Sequence, residues 1–386
     1  MENFTYNIPT KVYFGKGMVA SLLDEIPKMA KKVLLVYGGG SIKRNGAYDD
    51  VINILNKINI TYFELDGVQP NPRIESVRKG VQICKEFGID AIIAIGGGSS
   101  IDCAKVIAAG TCYERDVWDL VEDASKVKKA LPIISVVTLA ATGSEMDGIA
   151  VISEMDSNEK KPLKSEQIRP IISILDPIYT YSVPKYHTAA GIVDILSHLI
   201  ETYFSFYEGF MLEKMNEGIQ KTCIHYGLIA MNEPTNYDAR ANLLWASSWA
   251  INDMLKCGRP TSWSVHAMEH QLSAYYDITH GVGLAILTPN WMRFILNAKT
   301  VNKFANYAKN VWDVKENTDK YKMANEGIEN LETFYKKLNI PTTLREVGIE
   351  DNRYFDEMAE KAIYFMSNCF YDLSKKDIIK IYENSL

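Results

Sequence analysis

With 386 residues, 47% of them hydrophobic and 23% charged, the chain is long enough for two hydrophobic cores and has the composition of a folded globular protein, not of a disordered or fibrous one. A formal net charge of −6 and an isoelectric point near 5.7 give no electrostatic footing for nucleic acid or an anionic membrane. Neither is expected as a partner, so any phosphate must be held locally.

The opening stretch MENFTYNIPTKVYFGKGMVA interrupts its apolar residues with charges and a proline, so it does not read as a secretory signal. No later run is apolar over the roughly 18 residues a bilayer span needs. Within the opening, NIPTKVYFG alternates as an edge strand does. Six further stretches read as strands: KVLLVYGGG (32–40), ITYFELDG (60–67), DAIIAIGGG (90–98), LPIISVVTLAATGS (131–144), GIAVISE (148–154) and IISILDP (171–177). Between them NPRIESVRKGVQICKEFG carries apolar residues at helical spacing, opened by Asn71-Pro72 and stopped by Gly88. This alternation predicts an α/β domain with a largely parallel, doubly wound, Rossmann-like sheet. After YSVPKYHTAAG, long helical periodicities take over and β-branched runs become scarce. The expected division is therefore an α/β dinucleotide-binding domain over 1–184 and an all-α metal and substrate domain over 185–386. The six cysteines form no C-x-x-C pair and several lie in apolar segments, as thiols do in reducing compartments, so a cytoplasmic protein is expected.

Two of the predicted strands run into Gly-Gly-Gly-Ser, at Gly38–Ser41 and again at Gly96–Ser99. A glycine run lets the backbone approach a phosphate, and the helix that follows offers free N–H groups and the positive end of its dipole. Neither copy spells G-x-G-x-x-G, so the common dinucleotide fingerprint is absent. Near them Ser99, Thr138, Thr142 and Ser144 can donate hydroxyls to phosphate or ribose. Asp102 is either a polar ligand or an acid favoured by the first helical turn.

In GIVDILSHLIETYFS, Asp194 and His198 stand four apart on one helical face, and in SVHAMEHQL, His266 and His270 repeat the spacing, with His280 close behind in THG. Burying so many imidazoles and a carboxylate on apolar helices is unfavourable unless something pairs them, and a divalent cation would do so. A nitrogen and oxygen donor set without thiolate suits Fe2+ or Zn2+. His187 and His225 have no partner at metal spacing and read as structural.

Taken in order, YGGGSIKRNGAYDD, GVQPNPRI, AIGGGSSIDCAKVIAAG, TLAATGSEMDGIAVIS, LDPIYT, DILSHLIETYF and HAMEHQLSAYYDITHGVGLAILTPNWM resemble the iron-containing (group III) alcohol dehydrogenases, with the butanol dehydrogenase branch nearest. The resemblance implies a metal-dependent, nicotinamide-linked alcohol dehydrogenase or aldehyde reductase acting on small primary alcohols and aldehydes. It places Asp194, His198, His266 and His280 on the metal ligands and His270 on a site-lining histidine, a plausible proton relay. It also places Gly97, Gly98 and Ser99 on the pyrophosphate, Asn71, Thr138 and Lys160 on nucleotide contacts, Ser41 near the adenosine ribose, and a homodimer through an N-terminal strand. The segments KPLKSEQIRP (161–170) and FMSNCFYDLSKKD (365–377) depart from the family's pattern. Other readings on the same fold are a glycerol dehydrogenase, a dehydroquinate-synthase-like lyase or a non-catalytic assembly subunit. Around Gly38, Gly39 and Ser41 no carboxylate stands until Asp49, whereas Lys43 and Arg44 follow at once. An NAD-specific site usually keeps an acid by the ribose, so NADP(H) is expected ahead of NAD(H).

Overall fold

The computed structural model describes residues 2–205, 209–261 and 263–386. They fall into two compact units, one built from Asn7–Pro184 and Glu233–Asn252, the other from Met1–Tyr6, Lys185–Asn232 and Asp253–Leu386.

The first unit carries β1 (Lys11–Phe14), β2 (Lys32–Tyr37), β3 (Thr61–Leu65), β4 (Ala91–Gly96), β5 (Ile133–Val137), β6 (Ile149–Glu154), β7 (Glu159–Lys164) and β8 (Ile172–Leu175). Six of them make a parallel sheet in the order β1-β8-β5-β4-β2-β3. The apolar runs of β2 and β4 have no polar face because both faces of the sheet are covered. Leu34, Val36, Ile92 and Ala94 enter one core together with side chains of the Ile74–Phe87 and Gly98–Thr111 helices. Val33, Leu35, Ile93 and Ile95 enter the other, against the Ala47–Lys57 helix. The chain runs outward from β2 to β3 and then returns to the opposite side of β2 as β4, pairing Tyr37 with Ile95. This reversal puts the two glycine loops side by side at the carboxyl ends of adjacent strands, the crevice where doubly wound sheets bind ligands.

Two stretches differ from the sequence reading. The strand expected at 148–154 is β6, but it leaves the parallel sheet and pairs antiparallel with β7 through a turn at Asn158, whose φ is 49°. The charged run EKKPLK hides β7, since it lacks the alternation that marks a strand. The stretch 131–144 is a strand only as far as Val137, beyond which it turns into the loop that ends at Ser144.

The Tyr237–Ile251 helix, expected with the second half, packs in this first unit. Leu244 joins the sheet core, and the Ser248 hydroxyl donates to the buried Glu145 carboxylate. Gly143, at φ 66°, makes the approach possible, because a Cβ there would lie 2.4 Å from the Ser247 carbonyl oxygen.

The second unit is helical, with no strand among its described residues. The Lys185–Tyr203 helix packs against the Phe210–Asn232 and His280–Ile295 helices, and the latter also contacts the Ser264–Tyr276 helix. From Thr188 to Tyr203 every residue of the first helix is buried, so it is apolar on all sides and its few polar groups need partners inside the unit. At its end Phe204 packs among the rings of Trp291, Phe304 and Tyr307.

Candidate functional site

Asp194 and His198 occupy one face of the Lys185–Tyr203 helix, His266 lies in the first turn of the Ser264–Tyr276 helix, and His280 begins the His280–Ile295 helix. The three imidazoles converge on a single atom. The Nε2 atoms of His198, His280 and His266 lie 3.5, 3.8 and 3.9 Å from Asp194 Oδ1. Those separations are too long for hydrogen bonds, and Asp194 Oδ1 and His266 Nε2 are buried with no hydrogen-bond partner. Leaving such groups unpaired costs about 1–3 kcal/mol each. Donors spaced a little over 3 Å apart are what a tetrahedral ion with bonds near 2.1 Å requires, about 3.4 Å edge to edge. The residues present therefore fit a divalent cation.

Electrostatics ready His198 and Asp194 for an ion, whereas at His266 an ion has to displace a proton from Nε2. Burial pushes His198 down to about 3, which keeps its imidazole neutral and able to ligate. Burial alone would raise the Asp194 carboxyl, but the facing His198, His266 and His280 outweigh it and hold Asp194 at about 2. Burial likewise opposes charge on His266, yet Glu201 and Asp194 raise it to about 9.

Two carboxylates that the sequence reading missed stand behind these histidines. His266 Nδ1–H donates to Glu201 Oε2 at 2.6 Å, and His280 Nδ1–H donates to Glu269 Oε2. Glu201 and Glu269 are both buried. The available signal was positional, since Glu201 follows His198 by one helical turn and Glu269 sits between His266 and His270 on an apolar helix. His270 is partly exposed, its ring 5.6 Å from that of His280 and 6.3 Å from that of His266. A ring nitrogen of His270 gathers with a Glu269 oxygen and a His280 nitrogen, all within 4.8 Å of one another.

In the first unit, Gly97 caps the Gly98–Thr111 helix, and Gly98 and Ser99 form its first turn, where backbone N–H groups lack helical partners. A Cβ on Gly98 would lie 2.5 Å from Thr142, so that loop and the one after β5 are in contact. Thr138 N–H donates to the Gly96 carbonyl at 3.0 Å, and the Ser144 N–H donates to Thr142 Oγ1 at 3.2 Å. In the neighbouring loop a Cβ on Gly38 would lie 3.0 Å from the Val68 carbonyl oxygen, whereas Gly39 has open space around it. Ser41 opens the short helix that follows.

Asn71 is buried at φ 51° ahead of the Ile74–Phe87 helix, and Lys160 is buried on β7. Ser144 and Asp102 face inward. Lys105 Nζ, fully buried and unremarked in the sequence, donates to Ser144 Oγ at 2.8 Å, to Asp147 at 2.6 Å and to the Ile149 carbonyl at 2.7 Å. Ser144 in turn donates to Asp102 Oδ1 at 2.6 Å, and Val151 N–H donates to Oδ2 at 2.9 Å. The two residues thus brace the floor beneath the glycine loops.

Comparison with known proteins matches residues 9–177 to the sequence model of the iron-containing alcohol dehydrogenases and residues 188–386 to that of the C-terminal part of the Fe-containing alcohol dehydrogenase family. The chain is 53% identical to NADH-dependent butanol dehydrogenase A of Clostridium acetobutylicum over the full length of both. It is 35% identical to the NADPH-dependent aldehyde reductase YqhD of Escherichia coli over 91% of this chain and 90% of that one. The crystal structure of NADH-dependent butanol dehydrogenase A from Thermotoga maritima superposes with a TM-score of 0.95 at 36% identity, covering 100% of this chain and 99% of the other.

Proposed function

The chain belongs to the iron-containing alcohol dehydrogenase family, and from that premise we propose that it interconverts small primary alcohols and aldehydes, butanol and butyraldehyde among them, by hydride exchange with a nicotinamide dinucleotide. The observation that carries this reading is the meeting of three imidazole nitrogens at one unpartnered Asp194 oxygen. A non-catalytic subunit would have no use for such a donor set.

Asp194, His198, His266 and His280 would hold the ion, Fe2+ or Zn2+. Such an ion supplies a Lewis acid, which polarises a carbonyl and acidifies an alcohol. The protein's part is positional and protic. Burial of Asp194, His198 and His266 keeps water from one side of the site, and the partly exposed His280 lies toward its open side. His270, partly exposed beside the ligands, exchanges a proton with the substrate oxygen through a ring nitrogen. The first turn of the Gly98–Thr111 helix, with Gly97, Gly98 and Ser99, receives the pyrophosphate on backbone N–H groups. Thr138, Thr142, Asn71 and Lys160 complete the nucleotide contacts, and Ser144 and Asp102 support them through the Lys105 network.

For the cofactor we propose that both NAD(H) and NADP(H) are turned over. Four relatives 43–53% identical carry NADH in their names, and the one at 35% carries NADPH. The turn itself has no acid to repel a 2'-phosphate, and Arg44 Nη1 lies 3.4 Å from the position of a Cβ on Gly40. Lys43, by contrast, rests over the rings of Tyr37 and Tyr48. The test is oxidation of NADH and NADPH with butyraldehyde and a series of other aldehydes, using protein loaded with Fe2+ or Zn2+ without oxygen. Turnover with both cofactors is expected. Gly39→Asp, which the open space accommodates, should lower kcat/KM for NADPH by about tenfold or more while sparing NADH, given charge-assisted hydrogen bonds of about 1.5–3 kcal/mol. An unchanged ratio rejects the assigned ribose position.

A homodimer is part of the same proposal. β1 pairs with β8 on one side only, and the exposed rings of Phe14 and Trp245 stand beside it, 5.7 Å apart. We place the protein in the cytoplasm, in keeping with six unbridged cysteines, and no helix among the described residues is long and apolar enough to cross a membrane.

A further inference from the structure

We propose that Glu201 and Glu269 are positioning residues of the metal centre, each fixing one ligand histidine in the tautomer that leaves Nε2 free for the ion, and that only at Glu201 is the negative charge irreplaceable. The proposal rests on Asp194, His198, His266 and His280 being the ligands.

Glu201 lies two helical turns beyond Asp194 on the same face of the Lys185–Tyr203 helix, and the partners of its carboxylate among the described residues are donors. Val265 N–H and His266 N–H donate to Oε1 at 2.5 and 3.3 Å, and His266 Nδ1–H donates to Oε2 at 2.6 Å. One carboxylate thus caps the Ser264–Tyr276 helix and orients the histidine in its first turn. Glu269 is surrounded differently. Its Oε2 accepts from His280 Nδ1–H and its Oε1 from the Ser273 hydroxyl. Gly283 on the neighbouring helix leaves room for it, since a Cβ there would lie 2.7 Å from Glu269 Cγ.

An ionised carboxylate only accepts, so each facing imidazole presents Nδ1–H, and the nitrogen left for an ion, which displaces any second proton, is Nε2. Glutamine has one acceptor and one donor end. At position 201 its NH2 group must face either the two backbone N–H groups or His266 Nδ1, and the second choice moves the imidazole proton to Nε2, where the ion belongs. At position 269 the amide oxygen can face His280 while the NH2 group donates to Ser273 Oγ. The Ser273 hydroxyl then turns to the Ile278 carbonyl, 3.3 Å away. The two conservative substitutions should therefore behave differently, although both remove one negative charge.

The experiment is titration of the metal-free, full-length chain with Zn2+ against a chromophoric chelator, with the visible spectrum of the Co2+-loaded protein as a reporter of coordination. Circular dichroism and thermal melting of the metal-free variants check the fold. The wild type should take up one ion per chain. Glu201→Gln and Glu269→Leu should bind Zn2+ about 10- to 100-fold more weakly with altered Co2+ bands, and Glu269→Gln should stay within about threefold of wild type. Equal affinities in all proteins, or equal losses in the two Gln variants, overturn the proposal. So does uptake of two ions, because the second would have to take His280 Nδ1 together with Glu269 and His270. A wild type that binds no Zn2+ rejects the ligand set itself. If Glu201→Gln fails to fold, the Glu269→Gln and Glu269→Leu pair decides, and equal binding by those two overturns the role of the hydrogen bond.

Discussion

His266 and His270 look equivalent in sequence, four residues apart on an apolar helix, yet His266 points Nε2 at Asp194 Oδ1 while a ring nitrogen of His270 gathers with Glu269 and His280. His266→Ala and His280→Ala are therefore expected to lose both metal and turnover. His270→Ala should keep its metal and lose rate. Metal analysis of the three purified variants checks this, and a metal-free His270→Ala would reverse the assignment. The cluster of Asp194, His198, His266, His270 and His280 was legible because Asp and His paired at i,i+4 on an apolar helix are costly to bury unless an ion joins them, whereas the choice of four as ligands came from the resemblance. Glu201, Glu269 and Lys105 were not, because a lone charge on a helix is solvated far more often than buried, and only the packing tells which.

Asp102 gives a second test. Burial pushes it up to about 6, against the pull of Lys105 and the hydrogen bonds from Ser144 and Val151. Its folded value lies above the unfolded one near 3.8, so between those two values the folded state keeps a proton that the unfolded chain has released. Stability then falls as pH rises through that window, by about 1–2 kcal/mol once the residue's remaining solvent contact is allowed for. Asp102→Asn should show a flatter dependence of the urea midpoint between about pH 4 and 6.5, and identical slopes would mean that the carboxyl titrates normally.

Among the glycines of the elements, Gly281 has the tightest surroundings, where the His280–Ile295 helix meets the Lys185–Tyr203 helix and a Cβ would lie 2.1 Å from the Ala190 carbonyl oxygen. Gly281→Ala must push these backbones apart, at a cost of about 1–3 kcal/mol, and moves His280 away from Asp194 as it does so. A lower Tm together with weaker metal binding is expected. Gly218→Ala, in the Phe210–Asn232 helix with nothing within 4 Å, should instead raise stability by up to about 1 kcal/mol. If Gly281→Ala melts like the wild type, the helices have more freedom than their spacing implies.

The sheet strands were legible because a doubly covered parallel sheet needs short, continuous apolar runs. β7 was not, since a two-stranded ribbon outside the main sheet asks little of its side chains. The Tyr237–Ile251 helix was placed in the wrong half for a related reason. Its periodicity announces a helix but says nothing of which core Leu244 enters.

At the scale of the whole molecule, the unpaired side of β1 and the Phe14 and Trp245 rings predict a dimer at micromolar concentration by light scattering. Trp245→Glu should shift the protein toward monomer, and a monomeric wild type removes the idea. The path of the chain has a further consequence, for recombination. The α/β unit is entered twice, through Asn7–Pro184 and again through Glu233–Asn252. A chimera that draws its α/β unit from one homologue and its helical unit from another therefore cannot be made with a single junction near Pro184. Such a crossover would set Ser247 and Ile251 of one parent against Gly143 of the other, at a contact with no space for mismatch. The two segments have to be inherited together, and a crossover that moves the α/β unit whole needs junctions at the boundaries of both.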